Sequence, residues 1–122
     1  MKRILIIEDE EMISDMYKDK FEFEKFDVST ALDGEEGLEK ALQEKPDIIL
    51  LDILLPKKEG TEVLEEIRKS GKWGEEVPII MLTNLDSNDG ILDSISEYSP
   101  SYYLIKSNTD LDKLVAKVNN LL

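Results

Sequence analysis

Short, almost wholly apolar runs alternate with amphipathic segments along the chain, and no other feature of the sequence constrains the fold as strongly. Apolar runs of this length are typical of strands that are buried on both faces of a parallel sheet. We predict five such strands, at residues 3–7, 26–31, 47–52, 77–82 and 102–105. A helical pattern follows each of them. Strands that alternate with helices predict an α/β domain whose parallel sheet is covered on both faces.

The first three predicted helices follow the first three strands. The first helix carries its apolar residues on one stripe, formed by Ile13, Met16, Tyr17 and Phe21, and we assign Met12 and Met16 to the core. The second helix begins with Asp33 and Glu36 at the spacing of a capping box. The third carries Val63, Leu64 and Ile67, and the segment 71–74 after it is interpreted as a loop.

The fourth and fifth predicted helices lie near the end of the chain. The fourth spans 86–97, although Gly90 weakens it. The fifth has the clearest helical spacing, and Thr109 with Asp112 is predicted to cap it. Its apolar positions are Leu111, Leu114, Val115, Val118, Leu121 and Leu122.

The composition excludes several classes of function. The chain of 122 residues has a formal net charge of −13, which argues against a broad nucleic-acid-binding surface and against docking on anionic lipid. It contains no Cys and no His, so disulfides, thiolate catalysis, His-based triads and zinc sites built from these residues are excluded. Because no apolar run is long enough to cross a bilayer, we expect a soluble cytoplasmic protein without a membrane segment.

Chemically active side chains follow four of the predicted strands. Glu8 and Asp9 come directly after the first strand, Asp52 ends the third, Thr83 follows the fourth and Lys106 follows the fifth. In an open α/β sheet, ligands bind outside the carboxyl ends of the strands, so we expect these side chains to meet at one edge. Alone, the first two acids could instead cap the helix that follows them.

Three carboxylates at one edge of a sheet predict a site for a hard cation. Two unit charges about 4 Å apart repel by roughly 4 kcal/mol at an effective dielectric constant near 20. Ligands that are all oxygen favour Mg²⁺ or Mn²⁺ over zinc. A hydroxyl and an ammonium group opposite the ion would hold the oxygens of a phosphoryl group, and Asp52 would be the nucleophile that forms an acyl phosphate.

Over its whole length the chain resembles the receiver domain of two-component response regulators, in particular stand-alone chemotaxis-type receivers. The acidic pair Glu8 and Asp9 follows the first strand as in that family, and the segment 47–52, followed by Pro56 and Gly60, resembles the family's phosphorylation-site segment. Thr83 resembles its switch hydroxyl, and the segment 103–106 resembles its switch aromatic residue and lysine.

The resemblance implies a fold and a set of site residues. The fold would be a flavodoxin-like, doubly wound, five-stranded parallel sheet of order 2-1-3-4-5 with five helices, and residues 1–122 would form one receiver domain. Asp52 would accept phosphate, Lys106 would bind a phosphoryl oxygen, Thr83 would move toward the phosphoryl group, and Tyr103 would rotate inward. Mg²⁺ would be held by Glu8, Asp9, Asp52 and the backbone carbonyl of Leu54.

The resemblance also implies partners. A sensor histidine kinase or a phosphotransfer protein would supply the phosphoryl group. The surface of the fourth predicted helix (86–97), the fifth predicted strand and the fifth predicted helix would then bind a downstream protein. The chain would be a monomer or a phosphorylation-dependent dimer. It would catalyse only its own phosphorylation and dephosphorylation, and would bind neither nucleic acid nor membrane. Either it is a stand-alone receiver or it is one domain of a longer regulator.

Two apolar side chains near the predicted site bear on the lifetime of the acyl phosphate. Leu54 and Leu85 offer an attacking water no polar partner, which predicts slow loss of phosphate. The chain also departs from the family pattern after the predicted lysine, because Ser107 follows Lys106 where the family usually has Pro.

Three other functions remain as alternatives. An atypical receiver would act as a phosphate-independent interaction module, although the complete acid set argues against this. A phosphatase-like enzyme commonly has a second Asp two residues after its nucleophile, where this chain has Leu54. A flavin carrier needs a phosphate-binding loop after the first strand, where the acidic segment 8–11 would repel phosphate.

Overall fold

The computed structural model describes residues 1–83, 102–105 and 110–122, with Thr83 and residues 102–105 described by their backbone alone. The strands are β1 (Arg3–Ile7), β2 (Asp27–Ala31), β3 (Ile48–Asp52), β4 (Ile79–Thr83) and β5 (Tyr102–Ile105). The described helices are α1 (Glu11–Phe23), α2 (Gly34–Glu44), α3 (Gly60–Arg68), α4 (Lys72–Glu76) and α5 (Leu111–Leu121).

The strands form a parallel sheet in the order β2-β1-β3-β4-β5. The central strand, β3, is buried at all five positions, as its continuous apolar run predicts. Because the strands are parallel, their carboxyl ends lie at the same edge of the sheet. The predicted α/β class with a flavodoxin-like parallel sheet is confirmed.

Helices cover both faces of the sheet, and alternate residues of each strand point to opposite faces. On one face, α2 and α3 pack against the sheet residues Leu5, Ile7, Ile49, Leu51, Ile79 and Met81. On the other face, α1 and α5 pack against Ile4, Ile6, Ile48, Leu50, Ile80 and Leu82. Since each strand fills two cores at once, the strand sequences have little room for polar residues until the strands end.

The helix caps agree with the sequence in one case and differ in another. The carboxylate of Asp33 accepts a hydrogen bond from the backbone N–H of Glu36 at 2.7 Å, so the predicted cap of α2 is confirmed. The prediction that Thr109 caps the last helix is wrong. Asp110 occupies the N-cap of α5 and accepts from the backbone N–H of Lys113 at 2.8 Å, because its extended backbone directs the carboxylate at that group.

The segment 71–74, which we interpreted as a loop, lies largely within the short helix α4, so that interpretation is wrong. Tertiary contacts stabilise this turn of helix. The guanidinium of Arg68 donates to the carbonyl oxygen of Gly74 at 2.9 Å. The indole N–H of Trp73 donates to the carbonyl oxygen of Pro46 at 3.2 Å, and the ring packs against the core face that α2 and α3 cover.

The assignment of Met12 and Met16 to the core is also wrong, since their exposed fractions are 86% and 45%. Tyr17 and Phe21 of the same helix are buried. At about 100° per residue, Met12 lies on the opposite side of the helix from Phe21, nine positions away. The side of α1 that carries Phe21 packs on the sheet, so Met12 is left in solvent.

Two further predictions from the sequence concern the fourth helix and the absence of a membrane-spanning segment. The fourth predicted helix, 86–97, lies outside the described residues. Across the described ranges, no helix combines the length and the apolar character that crossing a bilayer requires.

Candidate functional site

Three acidic side chains meet at the carboxyl edge of the sheet. Glu8 follows β1 and is 1% exposed, Asp52 is the last residue of β3 and is 6% exposed, and Asp9 is exposed. One carboxylate oxygen from each residue lies within 4.8 Å of the other two. The structure therefore brings together the three acids that the sequence places at strand ends.

The pairing of β1 with β3 explains why these side chains meet. Ile7 pairs with Leu51 in the parallel register, and the next residues along the two strands are Glu8 and Asp52. The backbone N–H of Glu8 donates to the carbonyl oxygen of Ala31 at 3.0 Å, which extends the hydrogen bonding of β1 with β2 by one residue. Glu8 is thus held as a continuation of the strand, at the same level as Asp52.

A capping role does not explain the acids that follow β1. The helix α1 begins at Glu11, its N-cap residue is Glu10, and that residue makes no side-chain capping hydrogen bond. The carboxylate of Glu8 accepts the backbone N–H of Glu10 at 3.2 Å, a group that precedes the first turn of the helix. A capping side chain would instead accept from a backbone N–H within that first turn.

The carboxylate cluster suits a hard divalent ion. At an effective dielectric constant near 20, each pair of charges about 4 Å apart repels by roughly 4 kcal/mol, and a bound cation offsets that repulsion. Oxygens bound directly to one Mg²⁺ at about 2.1 Å lie about 3 to 4.2 Å apart. The observed limit of 4.8 Å is slightly wider, which suits an ion that binds some carboxylates directly and others through water.

The loop between β3 and α3, residues 53–59, begins directly after Asp52. Leu54, two residues beyond Asp52 in the chain, has an exposed fraction of 55%. The backbone N–H of Gly60 donates to the carbonyl oxygen of Ile53 at 2.8 Å. A Cβ atom on Gly60 would lie 2.0 Å from the carbonyl oxygen of Asp52, so the start of α3 can approach the end of β3 only without a side chain.

The remaining predicted site residues are only partly described. Thr83 ends β4, the strand next to β3, where Leu82 pairs with Asp52. Tyr103 lies on β5 in register with Met81. The side chains of Thr83 and Tyr103 are not described, and both Lys106 and Leu85 lie outside the described residues.

Comparison with known families gives a match over nearly the whole chain. The family described as the response regulator receiver domain matches residues 4–119. Among curated proteins, the chain is 46% identical to the alkaline phosphatase synthesis transcriptional regulatory protein PhoP of Bacillus subtilis, over 70% of this chain and 34% of that protein. It is 37% identical to the DNA-binding dual master transcriptional regulator RpaA of Synechocystis, over 100% of this chain and 49% of that protein. The chain thus spans about half or less of these relatives.

Solved structures show the same fold at full length. The response regulator protein TrrA of Thermotoga maritima, in complex with Mg²⁺ and beryllofluoride, is 36% identical to this chain. Its TM-score is 0.86, and the alignment covers 100% of each chain.

Proposed function

The chain belongs to the response regulator receiver domain family, and we propose that it is a phosphorylation-activated switch of a two-component system in which Asp52 accepts the phosphoryl group. Receiver domains are signalling switches and not conventional enzymes. Residues 1–122 would form one such domain. We infer a donor that is a sensor histidine kinase or a phosphotransfer protein.

One observation carries this proposal. The carboxylate of Asp52 ends the central strand and has oxygens from Glu8 and Asp9 within 4.8 Å. A carboxylate is a nucleophile for phosphoryl transfer only where the repulsion between two anions is offset. A divalent cation bound by these three acids would meet that condition.

The residues present fit a divalent ion, Mg²⁺ or Mn²⁺. Glu8, Asp9 and Asp52 would hold it, directly or through water, with the backbone carbonyl of Leu54 as a further ligand. The bound ion would neutralise negative charge on the phosphoryl oxygens and on the attacking carboxylate. The complex of TrrA with Mg²⁺ and beryllofluoride supports this assignment through its similarity to the whole chain.

The phosphoryl transfer itself is a displacement at phosphorus. A carboxylate oxygen of Asp52 attacks, an O–P bond forms, and the P–N bond of a phosphohistidine donor breaks with its electron pair returning to the imidazole. Lys106 would bind one phosphoryl oxygen. The product is an acyl phosphate on Asp52, and water releases phosphate from it later.

The new charge at the end of β3 would bias a two-state equilibrium. Thr83 would move toward the phosphoryl group and Tyr103 would rotate inward. The surface that we predict for residues 86–97 together with β5 and α5 would then change its preference for a protein target, without direct contact of this chain with nucleic acid. The chain would act as a monomer or as a phosphorylation-dependent dimer.

Treatment with acetyl phosphate tests the proposal. We expect intact-mass measurement to show the gain of one phosphoryl group when Mg²⁺ is present and none when the ion is removed with a chelator. The rival function, a phosphate-independent interaction module on the same fold, predicts no gain under either condition. A native chain that stays unmodified in saturating Mg²⁺ would rule out our proposal in favour of that rival.

The lifetime of the acyl phosphate is a separate prediction. Leu54 follows Asp52 by two residues and exposes an apolar side chain, which cannot orient an attacking water. We expect a slow loss of phosphate, and a loss about tenfold faster in Leu54→Asn, because a polar group in hydrogen-bonding reach assists proton transfer. Decay of the phosphorylated mass after removal of acetyl phosphate measures both rates. Leu54→Met is the control and should keep the slow rate; equal rates in all three proteins would refute the idea.

A further inference from the structure

The first turn of α2 lies against the loop that leaves the phosphoacceptor. Gly34 is buried, and a Cβ atom placed on it would lie 1.8 Å from the carbonyl oxygen of Lys58 and 2.6 Å from its carbonyl carbon. Non-bonded carbon atoms ordinarily stay about 3.5 Å or more from their neighbours. The helix can therefore approach the backbone of the 53–59 loop this closely only because residue 34 has no side chain.

Polar contacts join the same two segments. The backbone N–H of Gly34 donates to the carbonyl oxygen of Pro56 at 3.2 Å. The Asp33 carboxylate, which caps α2 with one oxygen, has its other oxygen 3.6 Å from the ammonium of Lys57. Lys57 has a φ of 69°, a left-handed conformation that non-glycine residues rarely adopt without support from their surroundings.

The loop is thus held by close contacts at its carboxyl end and near its middle. At its carboxyl end, Gly60 closes onto Ile53 and the carbonyl oxygen of Asp52. Toward its middle, Pro56 and Lys57 contact the first turn of α2. Leu54, whose carbonyl we assign as a ligand of the divalent ion, lies between Asp52 and these contacts, so its position depends on them.

We propose that Asp33 and Gly34 are positioning residues, which set the affinity of the site for its divalent ion by holding the 53–59 loop in place. The inference rests on the proposed function, because it concerns the metal that serves phosphoryl transfer. A side chain at residue 34 would push the loop away from α2. The Leu54 carbonyl would be displaced, while the three carboxylates would remain at the carboxyl ends of β1 and β3.

The test compares two glycine variants that meet the same kind of obstacle. Gly34→Ala would direct its Cβ at the Lys58 carbonyl oxygen, 1.8 Å away, and Gly74→Ala at the Ile67 carbonyl oxygen, 1.9 Å away. Gly74 lies in α4, which precedes β4 at the opposite edge of the sheet from the carboxylates. Titration calorimetry with Mg²⁺ gives the dissociation constant of each protein, and urea unfolding gives its stability.

We expect Gly34→Ala to bind Mg²⁺ about tenfold more weakly than the native chain, because groups that orient a metal ligand commonly contribute this much to affinity. Gly74→Ala should lose comparable stability and keep the native dissociation constant. If Gly34→Ala fails to fold, Asp33→Ala replaces it. This variant loses the cap of α2 and the contact with Lys57, and should bind Mg²⁺ severalfold more weakly.

The outcomes separate this inference from the proposed function. A native chain that binds no Mg²⁺ overturns both. A native chain that binds Mg²⁺ and gains phosphate, with unchanged affinity in the folded Gly34 or Asp33 variant, overturns the positioning role alone. Equal weakening in Gly34→Ala and Gly74→Ala also overturns it, since the effect would then follow general stability.

Discussion

Asp52→Asn is expected to abolish the gain of a phosphoryl group from acetyl phosphate in Mg²⁺. The amide is neutral and a far weaker nucleophile than the carboxylate, so it forms no acyl phosphate. It also removes one of the three negative charges that the structure places within 4.8 Å of one another, which weakens the attraction for a divalent ion. Intact-mass measurement after treatment for equal times gives the phosphorylated fraction of each protein.

Asp47→Asn is the matched control. Asp47 immediately precedes the same strand, at its other end, and is exposed. Its carboxylate accepts the backbone N–H of Arg3 at 2.8 Å, and an asparagine oxygen can accept the same bond. This variant should gain phosphate as the native chain does. Undiminished phosphorylation of Asp52→Asn would mean that another residue is the acceptor.

Phe21→Ala is expected to lower the free energy of unfolding by about 3–5 kcal/mol, the usual cost of truncating a buried aromatic residue to alanine. Phe21 is fully buried between α1 and the sheet. Its ring meets that of Phe26 edge to face, with 5.4 Å between the centroids. Removing it leaves a cavity and breaks this ring pair, and urea denaturation followed by circular dichroism measures the loss.

Phe23→Ala makes the same chemical change two positions further along α1. The Phe23 side chain is 76% exposed, and replacing it should alter the free energy of unfolding by no more than about 0.5 kcal/mol. If the two variants were equally destabilised, the orientation of α1 on the sheet would be wrong.

The strands and the acids at their ends follow from local pattern. A strand buried on both faces has to be apolar throughout, as β3 is, so the point where Asp52 interrupts the run marks both the end of the strand and the edge where ligands bind. Because parallel strands end at the same edge, Glu8 and Asp52 could be expected to meet although 44 positions separate them in the chain. Charge repulsion between them then indicated a cation.

The features that the sequence did not predict depend on contacts between segments that are distant in the chain. Residues 72–76 form a helix because Arg68 donates to the carbonyl oxygen of Gly74 and the Trp73 indole donates to that of Pro46. Neither contact is visible as a pattern in the local sequence. Met12 is exposed because α1 packs on the sheet through the opposite side of the helix. The apolar residues of α1 do not by themselves specify which side that is. The closeness of Gly34 to the loop after Asp52 depends on how α2 and α3 pack beside each other. Periodicity along one segment specifies which residues are buried within it, whereas the neighbour each residue meets depends on how whole elements are arranged.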